Sequence, residues 1–509
     1  MKIAILTFDG ACLPIADQLL REGNEVIVGQ VEDAKELGIT GNWITDKEPP
    51  EVRRRRLSLY DGILTKLPLE AFLKKLKSLP NKEEWWYMAD YNIFYNIDQQ
   101  VQSMGFTKGH FHTVDDFLLE KDRATARAFL KQHYTVLESP ETKQFGQGQV
   151  DQAIAFMETS DKVWVVKSDG NFGETIVSQS RNAEMARKEV LSELATHKLA
   201  YAKGPLSLEE KIMDAIEFCP QLAFWDGKPI FATVEIETRM IGPSDSGGQT
   251  GGNQNLIVRL PLDGMMVKMF FPPVVYEMAA QRRGLYLFDA GILYDPYQEK
   301  YFLTEFAGNR HGWPGIFSEI AMAEPRDYAT SATNYFEAIA QGRNPLNHAI
   351  GATLSTYSLE ADPVFPGLLK EGLSFDTRDR MNIFPSQVRY DQGRMVNVGY
   401  RAYDSGALAY VVSRGDDIAS TVRGIFYNLE SLSFKGLYYR SQEDFLSLGY
   451  SSSIPSRAAF LTQKELANIY FDLDAGGAVP QTALMDASHP DHNQAVAERY
   501  RMMTAKFPG

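Results

Sequence analysis

Only two cysteines, Cys12 and Cys219, occur among 509 residues, far apart and in no metal-binding or disulfide spacing. That excludes a disulfide-stapled scaffold and a cysteine zinc site, and a reducing, cytoplasmic setting is expected. Long apolar runs are also missing: a membrane helix needs about 20 consecutive apolar residues. The opening stretch MKIAILTFDGACLPIADQLL is interrupted at Asp9, so neither a membrane span nor a signal peptide is expected. Basic charge is in deficit, with 52 Lys and Arg against 66 Asp and Glu and a formal net charge of -14. Such a field repels a phosphate backbone, which argues against general nucleic-acid binding but leaves room for a local basic pocket. What is present is an ordinary globular composition, 44% hydrophobic and 23% charged, which argues against general disorder. The length implies two to four structural units.

The chain opens KIAIL, TFDGA, CLPIADQLLREG, EVIVGQ: a buried strand, a loop, a helix ending at Gly23 and a second apolar strand. This is the pattern of a parallel βαβ unit, and the alternation continues through DGILTKL, PLEAFLKKLKSL and WWYMADYN, so a Rossmann-like domain is expected over 1–118. The run Arg53 to Arg56 reads as the solvated face of a charged helix rather than a phosphate contact. From LLEKDRATARAFLKQH the pattern changes to an amphipathic helix with Asp122 near its start, followed by KVWVVKSDGNFGETIVSQS, a β-hairpin around a glycine turn. Strands joined by the turn WDGKP, a glycine-rich stretch GPSDSGGQTGGNQN, and two strands in LYLFDAGILYDPYQEKYFLTEFAGNRHG make the middle of the chain α+β. The expected units are therefore 1–118, a lid subdomain at 119–200, a core at 201–350, a small α+β domain at 351–455 and a tail at 456–509.

Lys167 stands at the end of an apolar strand, before a loop containing Gly170 and Gly173 whose backbone N–H groups can cover a phosphate chain; a surface hairpin looks much the same. In LEEKIMDAIEF, Glu210 can accept from an adenine amino group, the backbone of Lys211 and Met213 can read the ring edge, and Glu217 can take a ribose hydroxyl. The competing reading is a solvated acidic helix end. TEFAGNRHG places Glu305 at a strand end with Asn309 and Arg310 following; carboxylate and amide oxygens suit a hard cation such as Mg²⁺, and Arg310 can neutralise a phosphate. The same string also reads as a strand running into a turn, with His311 structural rather than catalytic.

The order of these pieces resembles the ATP-grasp superfamily, and within it looks most like the glycinamide ribonucleotide synthetases, the phosphoribosylamine glycine ligases, over about residues 1 to 450. The family's lid motif VVKADG is matched by VVKSDG, and its helix-borne phosphate-binding lysine falls at Arg123. The family pattern D-[TS]-G-P-N-T-G-G-M-G is similar to the run from Asp245 to Gln254, which implies a substrate pocket at Asp245, Gly247, Gln249, Thr250, Gly251 and Gly252. The metal-binding Glu falls at Glu305; the family Asn two residues on is Ala307 here, so Asn309 is the candidate. The family's N-terminal G-x-G-G-R-E-H-A is replaced by TFDGACLPIA.

The resemblance implies an ATP-grasp fold with a Rossmann-like N-terminal domain and a small C-terminal α+β domain. It implies ATP bound by Arg123, Lys167, Gly170, Gly173, Glu210, Lys211, Met213 and Glu217, with Mg²⁺ (or Mn²⁺) at Glu305 and Asn309. The implied activity joins a small carboxylate, such as an amino acid, to a small amine through an acyl phosphate, with Arg310, Lys167 and Arg123 in catalytic roles and the chain a monomer or homodimer. The lost N-terminal motif implies an altered amine. The rival readings are a true phosphoribosylamine glycine ligase and a nucleotide-binding protein without turnover.

Overall fold

The computed structural model describes residues 1–37, 48–168, 175–178, 180, 182–213, 215–242, 246–295, 298, 300–307, 310–326, 329–365, 368–377, 381–400, 406–416, 418–442 and 445. The tail expected at 456–509 lies outside the described residues.

The first sheet has five parallel strands in the order Lys66–Pro68, Glu25–Gln30, Lys2–Thr7, Trp85–Ala89 and Lys108–Gly109. Its central strands read as continuous apolar runs because helices cover both faces; all five residues of Trp85–Ala89 are buried. The helix Leu13–Arg21 begins with Pro14 in its first turn, where a missing N–H does no harm, and stops where Gly23 turns back at φ +87°. The strand order reverses between Lys2–Thr7 and Trp85–Ala89, which makes their carboxyl ends a topological switch point.

The largest sheet has ten strands and is mostly antiparallel. Its path runs Ile383–Pro385, Ala409–Gly415, Ile350–Ser358, Ser246–Leu260, Lys228–Gly242, Ile216–Trp225, Leu285–Asp295, Lys300–Ala307 and Leu137–Glu138, with Leu437–Tyr438 attached to Ile350–Ser358. The WDGKP turn forms as expected: Asp226 and Gly227, at φ +47° and +77°, make the two-residue connection whose twist suits a hairpin. A side chain at Gly227 would come within 2.9 Å of the Ala280 backbone. Strands from beyond residue 350 continue this sheet without a break, so the described residues beyond 350 share the core of the preceding unit. One buried apolar cluster runs from Ile3 and Ile5 through the large sheet to Ile425, and Trp86 stacks on Trp225 at 5.5 Å to join the two sheets.

A third sheet, Thr142–Phe145, Leu206–Glu210 and Trp164–Ser168, is antiparallel and carries its own core with the helices Val150–Thr159 and Ala183–Thr196. Its middle strand is Leu206–Glu210, which sequence patterning assigned to the next unit. The expected hairpin after Lys167 is present among the described residues as one bridge, Val166 to Ile176, while the main partner of Trp164–Ser168 is Leu206–Glu210. No helix among the described residues is long and apolar enough to cross a membrane.

The arginine run is the clearest departure from expectation. Arg55 and Arg56 are buried, not solvated. Arg55 donates to the carbonyls of Leu369 (2.7 Å) and Gly399 (3.1 Å), to Glu51, and to Asp362. Arg56 donates to the carbonyls of Phe8, Val31 and Glu32 and lies over the Phe8 ring at 4.1 Å. A four-letter charge run carries no periodic signal of burial, so only the tertiary partners decide it. Removing one partner of a buried ion pair costs about 3–5 kcal/mol, because the other is stranded. Arg55→Ala is expected to lose stability in that range in chemical denaturation, whereas Arg54→Ala, whose side chain is half exposed, loses less than about 1 kcal/mol.

Candidate functional site

The helix Arg123–His133 starts where Asp122 accepts from the N–H groups of Ala124 (2.9 Å) and Thr125 (3.0 Å). This cap places Arg123 in the first turn and Arg127 one turn later on the same face. Lys167 reaches the same place from the strand Trp164–Ser168. All three cations converge on Glu209, a nearly buried carboxylate: Lys167 at 2.5 Å, Arg123 at 3.5 Å and Arg127 at 3.6 Å. Arg123, Arg127 and Glu209 line a cleft, open to solvent, that Thr304 and Glu305 also line.

Glu305 is solvent-accessible within this cleft. Crowding by the surrounding protein pushes its carboxyl up, but the charges of Arg239, Lys167, Lys121 and Arg123 outweigh that and hold it below its ordinary value. Glu305 is therefore ionised at neutral pH. Arg239 was not singled out by sequence reading. It follows Glu235 and Glu237 at a spacing of two along Lys228–Gly242, so all three share a face of the sheet. Arg239 donates to Glu237 at 2.6 Å, lies 3.8 Å from Glu217, and stacks over Trp313 at 5.6 Å. Asn255 donates to Glu235 at 2.7 Å and to Glu237 at 3.2 Å. The only sequence signal for Arg239 was the alternation of charged residues along a strand whose other face is apolar.

The glycine-rich stretch is not a loop from Ser246 onward; it is the first half of the strand Ser246–Leu260. The ladder shifts so that Thr250 to Asn253 lie opposite Arg239 alone, between the pairs Thr238–Gln254 and Met240–Gln249. Thr250 closes this bulge by donating to the Arg239 carbonyl at 2.6 Å, and the Gly252 carbonyl accepts from Ser355 at 2.7 Å. Gly252 sits at φ +144°, where a side chain would be strained and would crowd Asn255 and Pro314. Glycine density here serves a bulge that adjoins the Arg239 network. Gly247, Gln249 and Gly251 lie in this strand, while Asp245 lies outside the described residues.

The nucleotide-edge residues are placed differently from one another. Glu210 ends its strand and pairs with Lys162 at 2.7 Å, while its neighbour Glu209 takes the central position among the cations. The Lys211 N–H donates to the Val163 carbonyl at 2.8 Å and its ammonium to the Ser178 carbonyl at 2.6 Å, so that N–H is committed and not offered to a ring edge. Met213 follows in a half-buried turn, and Glu217 faces Arg239. Gly170, Gly173 and Asn309 lie outside the described residues. Arg310 opens the short turn Arg310–Gly312. His311 is buried and neutral, burial driving its imidazole down to about 3, and its ring lies 5.0 Å from His110. Among the described residues no group of three or more His, Cys, Asp or Glu is spaced to hold a metal ion.

A Rossmann-like sheet, a small antiparallel sheet carrying a cationic lysine, and a large sheet presenting a carboxylate across a cleft together make the ATP-grasp fold. The similarity to solved structures extends over most of the chain. Phosphoribosylamine–glycine ligase from Thermotoga maritima matches with a TM-score of 0.54 and 13% identity, covering 86% of this chain and 99% of that one. The biotin carboxylase domain of Hydrogenobacter thermophilus 2-oxoglutarate carboxylase, solved with MgADP, ADP and bicarbonate, matches with a TM-score of 0.50 and 11% identity over 88% of this chain and 94% of that one. No protein-family model matches the chain, and no curated protein matches it in sequence.

Glu237 supplies a test of the buried network. Burial raises its carboxyl to about 7, Arg239 opposes that, and Glu235 and Glu217 add to it. A carboxyl raised on folding holds its proton longer in the folded chain than in the unfolded one. Its contribution is therefore full at low pH and is lost as pH rises from about 4.5 to about 7. Glu237→Gln is expected to flatten this part of the stability–pH curve, gaining on the order of 2 kcal/mol over the wild type at pH 8 relative to pH 5. Parallel curves from thermal or denaturant unfolding would show that Glu237 is not the titrating group.

Proposed function

We propose that the chain is an ATP-dependent carboxylate–amine ligase that forms an acyl phosphate and then an amide, releasing ADP and phosphate. The observation that carries this reading is that the charges of Arg239, Lys167 and Arg123, from three separate elements, act together on the ionised Glu305, which shares an open cleft with Arg123. Such an arrangement suits the charge that spreads over phosphoryl oxygens during transfer, where positioning and electrostatic stabilisation supply most of the catalysis.

In this reading Arg123 and Lys167 exchange part of their attraction to Glu209 for the phosphates of ATP, and Glu209 keeps them in place when the cleft is empty. Glu210, Lys211, Met213 and Glu217 lie along the route for the adenosine portion, with Gly170 and Gly173 covering the phosphates. Glu305 fits Mg²⁺, a hard cation that takes one or two carboxylates and fills its shell with phosphate oxygens and water; Asn309 is the second proposed ligand and Mn²⁺ an alternative ion. When bound, that ion withdraws charge from the phosphate oxygens. The γ-phosphoryl group passes to the substrate carboxylate, giving the mixed anhydride and ADP. The amine nitrogen then attacks the carbonyl carbon, phosphate leaves, and the nitrogen loses a proton. Arg310 stabilises the acyl phosphate, and the bulged strand with Asp245, Gly247, Gln249, Thr250, Gly251 and Gly252 forms the wall against the carboxylate substrate. The small sheet closes over the cleft and keeps water from the anhydride.

The test is ADP release with ATP and Mg²⁺ across a matrix of amino acids and amines, with products read by mass spectrometry. Glu305→Gln and Lys167→Ala are each expected to lower turnover by at least about 100-fold, with melting temperatures near the wild type. Full ADP release by Glu305→Gln removes that carboxylate from the mechanism, and ATP binding without turnover on any pair favours a binding protein.

A further inference from the structure

The switch point between Lys2–Thr7 and Trp85–Ala89 opens onto the N-terminus of the helix Leu13–Arg21. In sheets of this kind that crevice is the usual ligand position, and the unsatisfied N–H groups of the turn and helix favour an anion. Here the N–H groups of Phe8, Gly10, Ala11, Cys12 and Leu13 are already taken. Asp90, fully buried at the end of Trp85–Ala89, accepts from the Thr7 hydroxyl at 2.5 Å, the Phe8 N–H at 2.7 Å and the Cys12 N–H at 2.8 Å. The Gly10 N–H donates to the Thr7 hydroxyl, the Ala11 N–H to Asp9, and the Leu13 N–H to the Gly10 carbonyl, while Pro14 has no N–H. Asp9 is also buried and accepts from the Tyr91 hydroxyl at 2.8 Å.

We propose that the Asp90 carboxyl group fills the phosphate position of this crevice, and that the amine partner of the ligase proposed above carries no phosphate at this end. A phosphate entering here meets no uncommitted donor among those of Phe8, Gly10, Ala11, Cys12 and Leu13, and it meets two carboxyl groups, Asp9 and Asp90, while the guanidinium against this turn, Arg56, is committed to the Phe8, Val31 and Glu32 carbonyls. Asp90 is thus a specificity-determining residue that acts by occupying space and donors. Its placement stands on geometry alone; only its link to the amine rests on the ligase reading.

The experiment removes the internal carboxyl group and offers an external anion. Wild type and Asp90→Ala are melted in sodium phosphate and in sodium chloride of equal ionic strength, without ATP. Asp90→Ala is expected to melt lower in chloride, and phosphate is expected to raise its Tm by about 3 °C more than it raises that of the wild type. Phosphate bound at Arg123 and Lys167 shifts both proteins alike and drops out of the difference. Equal shifts overturn the proposal. Should Asp90→Ala not fold, wild-type crystals soaked in ribose 5-phosphate decide: density at the Phe8–Cys12 turn overturns the proposal, and an unaltered turn supports it. Because neither measurement uses ATP, a chain that releases no ADP with any substrate pair sinks the ligase reading and leaves this result standing.

Discussion

A carboxyl group in a crowded cleft keeps its charge only where cations lie near it, and Glu305 is held ionised in this way. Its ordinary response to crowding is to hold a proton. Arg239 comes from the large sheet, Lys167 from the small one, and Arg123 from a helix start set by the Asp122 cap. The small sheet that carries Lys167 has its own apolar core, separate from the continuous core of the large sheet that carries Glu305.

The same physics acts away from the cleft. Burying charge is tolerated where every lone pair and every proton finds a partner. Arg55 ties the helix Pro50–Leu57 to the carbonyls of Leu369 and Gly399, Arg56 ties it to the end of the first strands, and Asp90 holds the turn before the first helix. In each case one ionisable side chain gathers several backbone groups that would otherwise be buried unpaired. Glu209 does the equivalent for three cations, and the -14 net charge of the chain makes such a local concentration of positive charge the more distinct.

The parallel first domain and the hairpin at Asp226–Gly227 in the large sheet were legible because their signals are local: the apolar run WWYMA, Pro14 and Gly23 bracketing a helix, and the WDGKP turn each follow from backbone rules that need no tertiary partner. Lys167 and Glu305 were legible as strand ends next to glycine or turn residues. The glycine-rich stretch misled because glycine raises the probability of a loop in general, whereas here it serves a bulge inside a strand pinned on both edges, by Lys228–Gly242 and by Ile350–Ser358. Glu210 and Glu209 were indistinguishable as an acidic pair; a strand turns successive side chains to opposite faces, and only the register set by Trp164–Ser168 shows which one meets the cations.

The sequence by itself determined the alternation of elements, the α/β and α+β character of the chain, and the residue types available for phosphate chemistry, because periodicity and turn chemistry act over a few residues. Tertiary structure decided which charges are buried and against what. Arg55, Arg56, Asp90 and Arg239 each meet partners tens to hundreds of residues away, and whether a charged side chain is solvated, structural or poised at a site depends on the field those distant partners make.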